Sequence, residues 1–179
     1  MLKNYPHLSF LGISYTFAIL LFLFIDHDFF RGLVEPLGLG GVFIVGMMYA
    51  YSFTISFGAL LLPAFLAYFS PETIAIIGGL GGTFADITLF RFFKNDMKKE
   101  MRMLGATKFF KALGHIPFMK VRWVRDVIGF LIIISPFPDE IGIAIMASAH
   151  LSENTFRVLS LIANVIGIYL LVSIVGAIY

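Results

Sequence analysis

The sequence predicts an all-α protein that lies mostly inside the lipid bilayer, and three observations support this fold class. Hydrophobic residues make up 59% of the 179 residues and charged residues only 13%, whereas about a quarter of a soluble domain is charged. Residues 38–69 carry no charge at all, and ten of the 13 Lys and Arg lie between Arg91 and Arg125. One soluble core of this size could not bury so much apolar surface. We therefore treat residues 1–179 as a single membrane domain.

The basic segment 94–126 indicates the orientation of the chain. Clustered Lys and Arg between apolar segments are typical of a cytoplasmic loop, so we expect this loop and the N-terminus to be cytoplasmic and the protein to lie in the cell membrane. Because a cytoplasmic loop explains the cluster of Lys and Arg, we expect no nucleic-acid partner. The chain has no cysteine, which excludes disulfides and thiol chemistry, and we expect no cofactor and no metal.

Three apolar segments are expected to cross the membrane. The run 9–25 is just long enough for a first transmembrane helix, so residues 1–36 would supply that helix and an outer loop. Ser70 before Pro71 is a typical helix start, and the helix that follows should end near residue 93. A similar start at Ser152 begins a last helix that runs to the C-terminus.

Two further apolar segments are predicted to be broken. As one helix, residues 38–69 would be about 48 Å long at 1.5 Å per residue, which exceeds the roughly 30 Å hydrocarbon core. We expect a break near Ser56 and Gly58, which divides the first segment into a helical hairpin. The second segment, within 127–151, contains Pro136 and Pro138, which cannot both continue a helix. Both hairpins are predicted to be re-entrant, so domain parts 37–93 and 127–179 would each hold a hairpin and a spanning helix.

The two halves of the chain have the same layout, which predicts an inverted repeat. Ser70 and Thr73 match Ser152 and Thr155 at a shift of 82 residues, and the same shift places Gly82 on Asn164. With the basic loop in the cytoplasm, the two hairpins enter the membrane from opposite sides, as in many secondary transporters. An unrelated bundle with two proline kinks is the alternative.

Three acidic residues are the candidates for transport and proton coupling. Asp139 and Glu140 follow the two prolines, and Asp86 lies within the helix after the first hairpin. Ionisable residues inside a span are costly and usually functional. The alternatives are that the pair only stabilises the N-terminus of a half-helix, and that Asp86 forms a local ion pair with Arg91.

Three further polar residues are candidate contacts for a lipid head group. Arg122 and Arg125 lie at the cytoplasmic entrance of the second hairpin, although a positive-inside anchor explains them equally well. Asn164 lies in the middle of the last helix, where it either lines a path or forms a hydrogen bond between helices.

The segments GLGGVFIVGMM, GGLGGTFADITLF, SPFPDEIGIAIMASAHLS and the NVIG of the last helix resemble the DedA family, also called the VTT or SNARE-associated membrane proteins. The resemblance covers roughly Gly38 to the C-terminus and implies two opposed re-entrant hairpins. It also implies a transporter or scramblase, not an enzyme, that moves lipid or lipid-linked phosphate head groups, with protons or sodium as coupling ions and membrane lipids as partners. Asp86 would match the acid of the family's Gly-Asp motif.

The chain departs from that family in its charges. Many relatives carry an acid in the first hairpin, where this chain has only Ser and Thr, and arginines near the second proline, where it has Asp139 and Glu140. An exporter of small molecules, an intramembrane aspartyl protease using Asp86 and Asp139, and a non-catalytic assembly factor are the alternatives. The oligomeric state stays open, and an oligomer is compatible with the sequence.

Overall fold

The computed structural model describes Thr16 and residues 27–95, 122–135, 139–148 and 151–178. All regular structure in these ranges is helical, which confirms the predicted all-α class. Seven α-helices are present in them: α1 His27–Val34, α2 Gly38–Ala50, α3 Ile55–Leu61, α4 Pro71–Asn95, α5 Arg122–Ile134, α6 Asp139–Ser148 and α7 Glu153–Ile178. Short 3-10 helices at Glu35–Leu37 and Pro63–Ala67 follow α1 and α3.

Three helical segments are long and apolar enough to cross a membrane, by length and composition: Phe29–Ala50, Pro71–Lys94 and Glu153–Ala177. The protein is therefore membrane-embedded, as predicted. The second and third of these segments match the two spanning helices predicted to start after Ser70 and Ser152. Apart from Thr16, the predicted first span, 9–25, lies outside the described residues, and so do residues 96–121 of the basic segment 94–126.

The first long segment combines the predicted outer loop with the first arm of the predicted hairpin. Residues 27–37 are helical because one side of α1 is apolar: Phe30 and Val34 are buried, and Val34 shares a core cluster with Phe65. The segment is not one straight helix, since Gly38 has φ +52° and ψ −148°. That conformation is open essentially to glycine alone, so the chain changes direction at Gly38, where α2 begins.

The helix starts at both capping serines are confirmed. The backbone N–H of Thr73 donates to Ser70 Oγ at 3.4 Å, and the N–H of Thr155 donates to Ser152 Oγ at 3.1 Å. In each case the two hydroxyls are also hydrogen-bonded to each other. The sequence match between these two sites is thus a match in local structure as well.

Helices α4 and α7 pack against each other in antiparallel orientation, and the glycines of α4 allow a close approach. A Cβ on Gly79 would come within 2.5 Å of Val165, and one on Gly82 would overlap the side chain of Asn164. On the neighbouring face of α4, a Cβ on Gly81 would overlap the carbonyl of Phe43 in α2. The glycine run therefore lies between α2 and α7, where larger side chains would push the helices apart.

Helices α2 and α3 form a helical hairpin, and the chain reverses at residues 51–54. Thr54 Oγ1 donates to the carbonyl of Met48 at 2.6 Å, which ties the turn to the end of α2. The predicted break near Ser56 and Gly58 is therefore wrong in position, since both residues lie inside α3. Gly58 permits close packing instead. A Cβ at this position would lie 2.7 Å from the backbone of Tyr49, so only glycine allows the two arms of the hairpin to be in contact here.

Helices α5 and α6 form a second hairpin. A Cβ on Gly142 would lie 2.7 Å from the carbonyl oxygen of Gly129, so glycine again permits contact between the arms. Helix α5 ends at Ile134 and α6 begins at Asp139, which places the interruption where it was predicted. Pro136 and Pro138 themselves lie outside the described residues.

Two hydrophobic clusters occupy opposite ends of the α4–α7 pair. The stacked rings of Phe90 and Phe156, whose centroids are 4.2 Å apart, belong to the cluster that α5 and α6 complete. Ile74 and Val172 belong to the cluster that α2 and α3 complete. A stretch of α4 and α7 with buried polar side chains lies between the two clusters.

Candidate functional site

Asp86 is fully buried, at 0% exposure, in the middle of α4. Ser160 Oγ and Asn164 Nδ2 of α7 both donate to its Oδ2, each at 2.7 Å. Its other oxygen, Oδ1, is also buried and has no hydrogen-bond partner. The Asp86 carboxyl group thus accepts two hydrogen bonds through Oδ2 and none through Oδ1.

The alternative of a local ion pair between Asp86 and Arg91 is wrong. Arg91 Nε and Nη2 donate to Glu153 Oε1 at 3.0 and 2.7 Å, and Arg157 shares that oxygen. Residues five apart on a helix lie on different faces, whereas those three or four apart are neighbours. Arg91 is therefore turned away from Asp86, toward the first turn of α7.

Two features explain how α7 contacts Asp86: the spacing of Ser160 and Asn164 along α7, and the space left by Gly82 in α4. Ser160 and Asn164 are one turn apart and lie on the same face of α7, where Asn164 Nδ2 also donates to the Ser160 carbonyl at 3.1 Å. Gly82 lies one turn before Asp86 and leaves space for the Asn164 side chain. Asn164 Oδ1 is buried without a partner, so the site contains two buried oxygens that accept nothing.

Glu140 connects the two hairpins. The Ser52 N–H donates to Glu140 Oε1 at 3.0 Å, and the Ser52 hydroxyl donates to Oε2. Ser52 lies in the turn between α2 and α3, while Glu140 lies in the first turn of α6. The Glu140 carboxylate therefore does more than stabilise its own half-helix, because it binds the turn of the other hairpin.

Asp139, at 3% exposure, completes a group of acidic residues that we call the acidic cluster: Asp86, Asp139 and Glu140. The charges of Asp86 and Glu140 both act on Asp139, and both also act on the hydroxyl of Tyr51. In the described part of the chain, no three His, Cys, Asp or Glu side chains converge on a point that could hold a metal ion. The cluster is therefore not arranged as a metal chelate in the described residues.

The remaining predicted residues lie elsewhere. Asn164 is 1% exposed and forms a hydrogen bond between helices, which is one of the two roles expected for it, while its contact with a head group stays a prediction. Ser56 and Gly58 are buried in α3. Arg122 and Arg125 lie in the first turn of α5, and Arg125 is half-buried.

Three residues of the site were missed by sequence reasoning: Ser52, Ser160 and Tyr51. The spacing of Ser160 and Asn164 was a usable signal, because two polar residues at i and i+4 in an otherwise apolar helix share one face. Nothing in the local sequence pairs Ser52 with Glu140, since 88 residues separate them.

Apolar helices around a buried polar cluster define the class of this chain as a membrane-embedded helical protein. Comparison with protein-family models, curated proteins and solved structures found no match to this chain.

Proposed function

We propose that this chain is a DedA-like membrane transporter or scramblase that moves lipid or lipid-linked head groups and is coupled to protons or cations. The observation that carries the proposal is the contact between Glu140 and Ser52, which joins the first turn of α6 to the turn of the first hairpin, beside the buried Asp86 and Asp139. Charged side chains inside a bilayer are expensive and are retained where a substrate or ion passes.

In this proposal both hairpins are re-entrant and enter the bilayer from opposite sides. Each hairpin is followed by a serine-capped spanning helix, α4 or α7, and the two helices meet at Gly82 and Asn164, which the shift of 82 residues makes equivalent. Broken helices whose turns meet near the midplane are the usual construction of a transport site. The N-terminus and the basic loop are then cytoplasmic, and the membrane is the cell membrane.

The charge of the site favours some substrates over others. Three carboxyl groups repel a bare phosphate, so the head groups that fit best carry a positive group or move together with a proton. An exporter of cationic small molecules is the second candidate, because the same acidic cluster would bind an organic cation.

The test is transport by the purified chain in lipid vesicles. We expect fluorescently labelled head groups to cross faster than in protein-free vesicles, and a pH gradient to change the rate. Glu140→Gln should slow the crossing, whereas Glu72→Gln, a change of an exposed carboxyl at the start of α4, should not. Rates equal to those of protein-free vesicles would contradict lipid transport, and uptake of a cationic dye in the same vesicles would then favour the exporter.

A further inference from the structure

The geometry points to Asp86 Oδ1 as the binding site of one proton, with Ser160 and Asn164 as the residues that position it. This inference deepens the transport function proposed above and rests on it. It names the coupling ion and assigns roles to two residues of α7 that the sequence did not identify as an ion site.

The hydrogen bonds of Asp86 are divided unequally between its two oxygens. Oδ2 accepts from Ser160 and Asn164, while Oδ1 is buried and accepts from no group. An ionised carboxylate has lone pairs on both oxygens that need donors, and leaving one of them unpaired in an apolar interior is costly. A proton on Oδ1 removes the charge and leaves the two hydrogen bonds to Oδ2 in place.

A metal ion fits the same atoms poorly. Hard cations are bound by about six or more oxygen ligands, and the described residues contain no convergent set of three acidic, His or Cys side chains. Asn164 Oδ1, the other unpaired oxygen, lies against the backbone of Gly82. It is thus held in a packed contact between α4 and α7.

The groups that face Asp86 make proton binding sensitive to the hairpins. The second hairpin supplies Asp139 and Glu140, the first supplies Tyr51, and α7 supplies the neutral Ser160 and Asn164. A proton taken from water neutralises Asp86 and so reduces its repulsion of Glu140, which holds Ser52. Loss of that proton to water on the other side restores the repulsion and favours separation of the two turns.

The assignment is tested by infrared spectroscopy on the full chain in vesicles, titrated with acid and base. A protonated carboxyl has a carbonyl stretch that an ionised one lacks, so Asp86 should contribute a pH-dependent band. We expect Asp86→Asn to remove one component of this band, that of a carboxyl buried from water, and Glu72→Gln, on the same helix but exposed, to retain that component. Persistence of the component in Asp86→Asn, or its absence from the native chain, would overturn the assignment.

A second variant tests the positioning role without removing the carboxyl. Ser160→Ala deletes one donor to Asp86 Oδ2, and that hydrogen bond is stronger to the ionised carboxylate than to the neutral acid. Because only this difference acts on the proton, proton affinity should rise about five- to tenfold, seen as an upward shift in the pH at which half of the Asp86 component is lost. Thr83→Val is the matched control, because the buried Thr83 hydroxyl donates to Gly79 of its own helix and not to Asp86. Equal midpoints for Ser160→Ala and the native chain would contradict the positioning role.

Head-group translocation measured in the same vesicles separates this inference from the function on which it rests. A band that depends on Asp86, with translocation at the protein-free rate, would refute transport and leave the proton site standing. Translocation without such a band would refute the proton site alone.

Discussion

Asn164 packs directly against Gly82, the residue 82 positions before it, so that a Cβ on Gly82 would overlap Asn164 Oδ1. Each residue lies twelve positions after the serine that caps its helix, Ser70 or Ser152. The contact between α4 and α7 is therefore centred at the same distance from both helix starts. This register places Asp86 against Ser160, one turn to the side of that centre.

Gly82→Ala should destabilise the protein by about 1–3 kcal/mol, because a methyl group forced into a packed contact displaces its neighbours. The displaced neighbour is Asn164, so the hydrogen bond to Asp86 should weaken as well. Reversible unfolding in mixed micelles measures the change. Gly40→Ala is the control, since nothing lies within 4 Å of a Cβ at Gly40, and it should leave stability unchanged or slightly raised. Equal stabilities for the two variants would contradict the close packing of α4 and α7.

Gly38→Ala should also be destabilising, for a reason unrelated to space. No atom lies within 4 Å of its Cβ, but its backbone has φ +52°, and a side chain in such a region costs about 1–3 kcal/mol. Gly40→Ala, two positions further along, is again the control, and the same unfolding measurement applies. If Gly38→Ala is as stable as Gly40→Ala, the chain does not bend at Gly38.

Much of the fold was predictable because its signals are local. The capping serines at 70 and 152 are each followed by a long apolar segment. Helices α4 and α7 both begin within one residue of the expected position. The glycine run of α4 is typical of a helix that packs closely against another, and α4 contacts Val165 and Asn164 of α7 there. The break between Ile134 and Asp139 was predictable from the prolines.

The rest depends on tertiary contacts that no local pattern carries. The residues that follow the first predicted span, up to residue 36, were predicted to form an outer loop. Residues 27–37 are helical instead, because one side of α1 packs against the 3-10 helix Pro63–Ala67. Gly58 read as a break, although it serves a contact with Tyr49. The partners of Asp86 and Glu140 lie 74 to 88 residues away. Only the packing of α7 against α4, and of α6 against the turn between α2 and α3, brings them together.

The contact between Glu140 and Ser52 should appear as an energetic coupling in a double-mutant cycle. Residues in direct hydrogen-bonded contact show coupling energies of about 0.5–3 kcal/mol, so Glu140→Gln and Ser52→Ala together should destabilise less than the sum of the single changes. Reversible unfolding of the four proteins gives the coupling. A parallel cycle of Glu140→Gln with Ser70→Ala, whose hydroxyl caps α4, should be additive. Additivity in both cycles would mean that the two hairpin turns are not joined.

Single cysteines should label from the sides that two opposed re-entrant hairpins require, and the chain has no native cysteine to interfere. The three positions chosen are exposed, and a cysteine at any of them leaves both capping serines unchanged: Glu35, Glu72 and Asn154. Because the first hairpin lies between Glu35 and Glu72, cysteines at these two positions should react with a membrane-impermeant maleimide from the outside of intact cells. A cysteine at Asn154 should react only after the membrane is opened, since the spanning helix α4 and the second hairpin separate it from Glu72.

Reaction of Glu35→Cys and Glu72→Cys from opposite sides would show instead that Phe29–Ala50 crosses the bilayer. Reaction of Asn154→Cys from the outside would contradict the inversion of the two halves.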